Sequence, residues 1–186
     1  MRLCLLAIRD KGAFSFPSVT RRTLNRLIGQ PFLGMTRAID MLCLNFGNSW
    51  KDDTIQCRGR AFPVRYPEYS LHLQVQWRFV SADRIVLGSR DIYEPFSPNV
   101  GENWEYDLIG RPDSESSIFD VVSKQVSQEL MGHHVTECSV SPMGDIRIIF
   151  SNGIIFEVFI PASYQDEEWR LIDFAKDEHF VFYDVE

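Results

Sequence analysis

The polar residues of one predicted strand form the clearest candidate binding site in the sequence. His72, Gln74 and Arg78 lie two or four residues apart, and the odd-numbered positions from 71 to 77 are apolar. Because side chains alternate between the two faces of a strand, these polar groups share one face. They could hydrogen-bond a small molecule on the floor of a pocket. A half-exposed antiparallel strand without a ligand shows the same pattern, so a purely structural role stays open.

Asp91 completes this group of candidates. A turn at residues 81–83 joins the strand to residues 85–87, which predicts an antiparallel hairpin that ends near Asp91. Its carboxylate would then lie close to Arg78, and the two could form an ion pair with a mainly structural role.

A second candidate surface is acidic and lies in the C-terminal half. Residues 1–70 carry a net charge of +6 and residues 71–186 a net charge of −13. The run Asp166, Glu167, Glu168 is the densest part of an acidic segment. Such a surface repels nucleic acid and attracts basic proteins, or it serves only to keep the protein soluble. The basic stretch at residues 58–65 is too short to indicate nucleic-acid binding, so we predict a protein partner.

Other kinds of chemistry have little support. His133 and His134 are adjacent, so on a strand they point to opposite faces and cannot readily bind one ion. There is no glycine-rich phosphate loop and no nucleophile-elbow pattern. We therefore predict a non-enzymatic protein with no metal and no cofactor. The cysteines are far apart and are predicted to be reduced and packed as small apolar groups: Cys4, Cys43, Cys57 and Cys138.

The sequence also predicts a cytoplasmic location. The early apolar run at residues 3–8 is shorter than the roughly 7 to 15 residues of a signal-peptide core. No segment approaches the ~18 unbroken apolar residues of a membrane-spanning helix.

Two helices and many hairpin strands must position these residues. A short helix is predicted from Thr23 to the Gly29 stop, and a longer one from the Ser117 cap to the Gly132 stop. Residues 1–22 are predicted to be an N-terminal extension, and residues 48–68 a long, partly irregular connection.

The same order of elements occurs twice along the chain. Leu27-Ile28-Gly29 precedes Phe46 and then Trp77-Arg78, and Leu130-Met131-Gly132 precedes Phe150 and then Trp169-Arg170. The glycine and phenylalanine are 17 residues apart in the first copy and 18 in the second. We predict an α+β fold of mostly antiparallel sheet with two short-to-medium helices. Pseudo-duplicated helix–hairpin–strand halves, at about 23–95 and 117–184, form one domain over residues 23–186. Both tryptophans are expected in the core.

Several of these segments resemble a family of small bacterial cytoplasmic proteins that has no assigned catalytic residues. The segments are Leu27–Gln30, Arg37–Met41, Phe46-Gly47, Leu71–Arg78, Ser89–Tyr93, Trp169-Arg170 and Glu178–Phe180. The resemblance covers roughly residues 23–183. Members of such families are often encoded beside polymorphic or contact-dependent toxins as immunity proteins. The resemblance implies a broad role and no site residues.

Two functions follow as hypotheses. The first is an immunity-type protein that binds and neutralises a basic toxin domain, for which Asp166, Glu167 and Glu168 are the first residues to test. The alternative is a small-molecule-binding domain or an enzyme with a pocket where the two halves meet, using the four polar residues described first. A homodimer joined through an edge strand is compatible with either function.

Overall fold

A computed structural model describes residues 16–108, 111–161 and 167–183. Within these ranges the chain forms two α-helices and twelve strands. In chain order they are α1 (Phe16–Leu24), β1 (Phe32–Ala38), β2 (Met41–Phe46), β3 (Lys51–Cys57), β4 (Arg60–Tyr66), β5 (Tyr69–Leu73), β6 (Gln76–Ser81), β7 (Arg84–Gly88), α2 (Ile118–Leu130), β8 (Val135–Val140), β9 (Ile146–Phe150), β10 (Ile155–Phe159), β11 (Glu167–Asp173) and β12 (Glu178–Tyr183). The predicted α+β class with mostly antiparallel sheet is confirmed.

The strands form two five-stranded sheets and one two-stranded ribbon. The first sheet has the order β1-β2-β5-β11-β12 and the second β8-β9-β10-β6-β7, while β3 pairs only with β4. Every neighbouring pair is antiparallel. Each sheet therefore takes three strands from one half of the chain and two strands from the other half.

The strand register repeats between the halves. Trp77 on β6 lies opposite Val158 on β10, and Trp169 on β11 lies opposite Leu73 on β5, so the two tryptophans hold matching places in the two sheets. The β1–β2 and β8–β9 hairpins also have an irregularity at the same position, next to Phe32 and Val135 respectively. The predicted duplication is thus present in the pairing itself.

The two halves meet around a pseudo-twofold axis. The Phe32 amide donates to the His133 carbonyl at 2.9 Å, and the equivalent Val135 amide donates to the Gln30 carbonyl at 3.1 Å. The matching rings of Phe46 and Phe150 stack with their centroids 6.4 Å apart. One apolar core therefore runs through both halves and includes both tryptophans.

The structure differs from the predicted elements in three places. Helix α1 begins at Phe16, so residues 16–22 are helical and do not belong to an extension; the rest of the predicted extension lies outside the described residues. Residues 51–66 form a regular ribbon instead of an irregular connection. The predicted strand at residues 71–78 is two strands, because the chain passes from one sheet to the other at Gln74 and Val75.

Candidate protein-interaction surface

The four polar candidates contact different neighbours in the structure. His72 lies on β5 opposite Arg170 and is half-buried. Burial lowers its pKa, and the electrostatic interactions with Arg170 and His179 act in the same direction. The Gln74 side chain is exposed, and its amide nitrogen is 3.9 Å from the Met41 sulfur.

Arg78 and Asp91 do not pair with each other. The Arg78 guanidinium donates to Glu157 Oε2 at 2.7 Å, because Glu157 lies directly opposite on β10. It also lies over the ring of Phe159 at 4.8 Å. The Asp91 carboxylate accepts the Gly88 amide at 2.7 Å and so closes the 3-10 turn Ser89–Ile92. Both side chains therefore have structural partners in neighbouring elements.

The predicted acidic run contributes little exposed charge where it is described. Asp166 lies outside the described residues. Both carboxylate oxygens of Glu167 accept hydrogen bonds from Arg170, and Glu168 is only 7% exposed. Glu167 and Glu168 therefore do not supply the predicted exposed acidic surface.

Residues 93–116 supply such a surface. This segment holds six carboxylates and one arginine, which gives a net charge of −5. All six acidic side chains are exposed: Glu94, Glu102, Glu105, Asp107, Asp113 and Glu115. The large apolar side chains of Tyr93, Phe96 and Leu108 are exposed in the same segment, and we call this set the loop surface.

Contacts within the segment fold it back on itself. The indole Nε1 of Trp104 donates to the Glu115 carbonyl at 2.7 Å, which joins the middle of the loop surface to its C-terminal end. The rings of Tyr93 and Tyr106 lie edge to face with centroids 4.8 Å apart. The Phe96 amide donates to the Ser116 carbonyl at 2.9 Å. These contacts bring acidic residues that are distant in sequence onto one compact surface.

Arg37 attaches the loop surface to the core. Its side chain, on β1, is 3% exposed and donates from Nε and Nη2 to the two carboxylate oxygens of Asp120, each at 2.8 Å. Nη2 also donates to the Tyr106 carbonyl at 2.7 Å. Asp120 in turn accepts from the Ser117 hydroxyl at the start of α2. Burial opposes ionisation of Asp120, but the hydrogen bonds from Arg37 and Ser117 lower its pKa.

The β3–β4 ribbon is the second unusual exposed feature, and we call it the arm. Every residue of β3 is exposed, and most residues of β4 are exposed as well. The root of the arm contacts the rest of the molecule, where the Tyr66 ring stacks on Phe174 at 5.1 Å. At the tip, Arg58 and Gly59 both have positive φ, as a two-residue type I′ hairpin turn requires.

A cavity of about 300 Å³ lies between β1 and α2, with Trp50 forming one wall. It also has polar groups, among them Asn45 and the Lys124 side chain. Because β1 comes from the first half and α2 from the second, the cavity lies between the halves, as the small-molecule hypothesis expects. None of His72, Gln74, Arg78 or Asp91 lines it.

The described residues form neither a metal-ion site nor a membrane-spanning helix. Across residues 16–108, 111–161 and 167–183, no group of three or more histidine, cysteine or acidic side chains could hold a metal ion. In the same ranges, no helix has the length and apolar character that crossing a membrane requires. Comparison with protein-family models, with curated proteins and with solved structures gives no match.

Proposed function

We propose that this protein is a non-enzymatic binding protein whose loop surface docks a basic protein domain. The observation that carries the proposal is the combination of six exposed carboxylates with three exposed large apolar side chains on one segment that Arg37 attaches to the core. Interfaces of this kind obtain affinity from apolar and aromatic residues at their centre. The surrounding charge accelerates the encounter with an oppositely charged partner and selects against others.

The proposed biological role is that of an immunity-type protein acting in the bacterial cytoplasm. A toxin domain that acts on nucleic acid must itself present a basic surface, because it binds a phosphate backbone. An acidic protein that covers this surface would prevent the toxin from reaching its substrate. This role rests on the sequence resemblance, and the loop surface supplies a physical means for it.

Co-expression with the product of the neighbouring gene tests the role. We expect a stable complex and protection of the cells from toxicity. The double variant Glu102→Lys/Glu105→Lys should weaken the complex at least tenfold, which corresponds to about 1.4 kcal/mol. The control Glu129→Lys/Glu137→Lys changes the net charge equally at exposed sites outside the loop surface and should leave affinity within about twofold. A neighbour that neither binds nor harms cells would refute the immunity role.

A second candidate function follows from the cavity beside Trp50. Its aromatic wall and amide could bind a small planar molecule beside the Lys124 ammonium, which is paired with Asp113 at 2.8 Å. A thermal-shift screen against common metabolites would show a stabilising compound whose effect Trp50→Ala removes. If every compound leaves the melting temperature unchanged, the small-molecule function is refuted and the protein-binding function stands.

A further inference from the structure

The arm projects from the fold, and most of its residues are exposed. Seven-residue strands extend it by about 23 Å at ~3.3 Å per residue, yet the side chains of β3 are exposed along its whole length. An isolated two-stranded hairpin is only marginally stable in water. Ordered strands without packing on the body therefore indicate that the arm is stabilised against another surface.

One face of the arm carries an exposed apolar pair. Ile55 and Phe62 lie directly opposite each other and are 46% and 44% exposed. Val64 lies on the same face, two pairs closer to the root and opposite Asp53. Exposed apolar side chains grouped in this way are typical of a contact surface.

The tip of the arm is positively charged. Residues 51–66 hold four basic and two acidic residues, a net charge of +2 in a chain whose total is −7. Arg65 is paired with Asp52 near the root at 2.8 Å. Arg58 and Arg60 lie at the turn and are both exposed. The tip thus presents two guanidinium groups in front of the apolar pair.

The edges of the arm are poorly suited to strand addition. Pro63 lies in the middle of β4 and has no amide hydrogen to donate. The edge of β3 begins with three charged residues, Lys51, Asp52 and Asp53, which discourage edge-to-edge pairing. The contact is therefore expected through the apolar pair and the basic tip.

We propose that the arm docks on the loop surface of a second copy of this chain. The loop surface carries −5 against +2 for the arm, and it exposes Tyr93, Phe96 and Leu108 to receive the apolar pair. Each molecule carries both an arm and a loop surface. A twofold dimer can therefore close with two identical contacts and leave neither element unoccupied.

This self-association uses the surface of the proposed function but does not need its partner. A basic toxin domain would compete with the arm for the same carboxylates, so binding of the partner should convert the dimer into complexes with one copy each. If the protein does not dimerise, the result of the partner assay does not change. If no partner binds, the dimerisation result does not change.

Sedimentation velocity of the purified protein, without any partner, tests the proposal. We expect a dimer at 50 mM salt whose dissociation constant rises at least tenfold at 500 mM salt, since exposed charge pairs are screened. Arg58→Glu/Arg60→Glu and Glu102→Lys/Glu105→Lys should each be monomeric at concentrations where the wild type is dimeric. The control Arg22→Glu/Arg84→Glu, with the same change of net charge, should remain dimeric.

Mixing the two monomeric variants tests directly whether the arm of one chain contacts the loop surface of the other. In the mixed dimer, the acidic arm of one chain meets the lysine-bearing loop of the other, and the second contact is unchanged. We expect the equimolar mixture to dimerise although neither component does. A wild type that is monomeric at both salt concentrations, a dimer that neither variant weakens, or a mixture that stays monomeric would each overturn the proposal.

Discussion

Replacing Arg37 by leucine should destabilise the protein more than any other change to an ion pair described here. The guanidinium is 3% exposed, so its loss leaves the Asp120 carboxylate in a partly buried place without its main partner. Removing one partner of a buried pair typically costs about 3–5 kcal/mol. Asp120 keeps 23% exposure and can be partly hydrated, so we expect a loss of about 3 kcal/mol, at the lower end of that range.

Urea unfolding of a matched set of variants measures this loss. Asp120→Asn and the double variant complete a mutant cycle, in which the pair should show a coupling energy of at least about 1 kcal/mol. Arg65→Leu is the control, because that arginine is 63% exposed in its pair with Asp52 and should cost no more than about 1 kcal/mol. A loss below about 1 kcal/mol for Arg37→Leu would refute the view that this residue anchors the loop surface.

Two further predictions concern pH and backbone conformation. The pKa of Asp120 is lower in the folded protein than in the unfolded chain. Its contribution to stability is therefore complete above the unfolded pKa of about 3.9 and is lost as the pH falls through the folded value. Between pH 6 and pH 2, the denaturant midpoint should fall less in Asp120→Asn than in the wild type. Gly144→Ala should cost at least about 3 kcal/mol in the same assay, because its φ is +95° and the new Cβ would lie 2.2 Å from a buried phenylalanine ring. Gly29→Ala, with φ +83° and open space, should cost only about 1–2 kcal/mol, and equal losses at the two sites would contradict the packing described.

The duplicated architecture was predictable because its signals are local. In each half an apolar segment ends at a glycine, the next phenylalanine follows 17 or 18 residues later, and a Trp-Arg pair comes after it. The structure gives Gly29 and Gly132 almost equal φ values, 83° and 81°. Helix α2 ends just before Gly132 as predicted, whereas α1 ends at Leu24 and the 3-10 turn Asn25–Leu27 lies between it and Gly29.

The exchange of strands between the sheets was not predictable from the same signals. Residues 71–77 keep an unbroken alternation of buried and exposed side chains while the chain passes from β5 to β6. Alternation reports which face is buried but not which sheet contains the strand. The pairing of β5 with β11 joins residues about a hundred positions apart, and no short-range pattern records it.

The site residues were harder to predict than the fold. The arm lacks the alternation that identifies strands, since both of its faces are exposed. The net charge of each half of the chain predicted an acidic surface at residues 166–168. Glu168 is in fact buried beside Trp169. A count over shorter windows would have identified residues 93–116, where six carboxylates have a single arginine among them.

Hydrogen–deuterium exchange on the complex with the neighbouring gene product tests the proposed function most directly. In Arg58→Glu/Arg60→Glu, whose loop surface is not covered by the arm of a second copy, we expect slower amide exchange at residues 93–108 and 111–116 in the complex than in the free protein. We also expect this protection to disappear in Glu102→Lys/Glu105→Lys at equal concentrations. Protection confined to other segments, with exchange in the loop surface unchanged, would contradict the account.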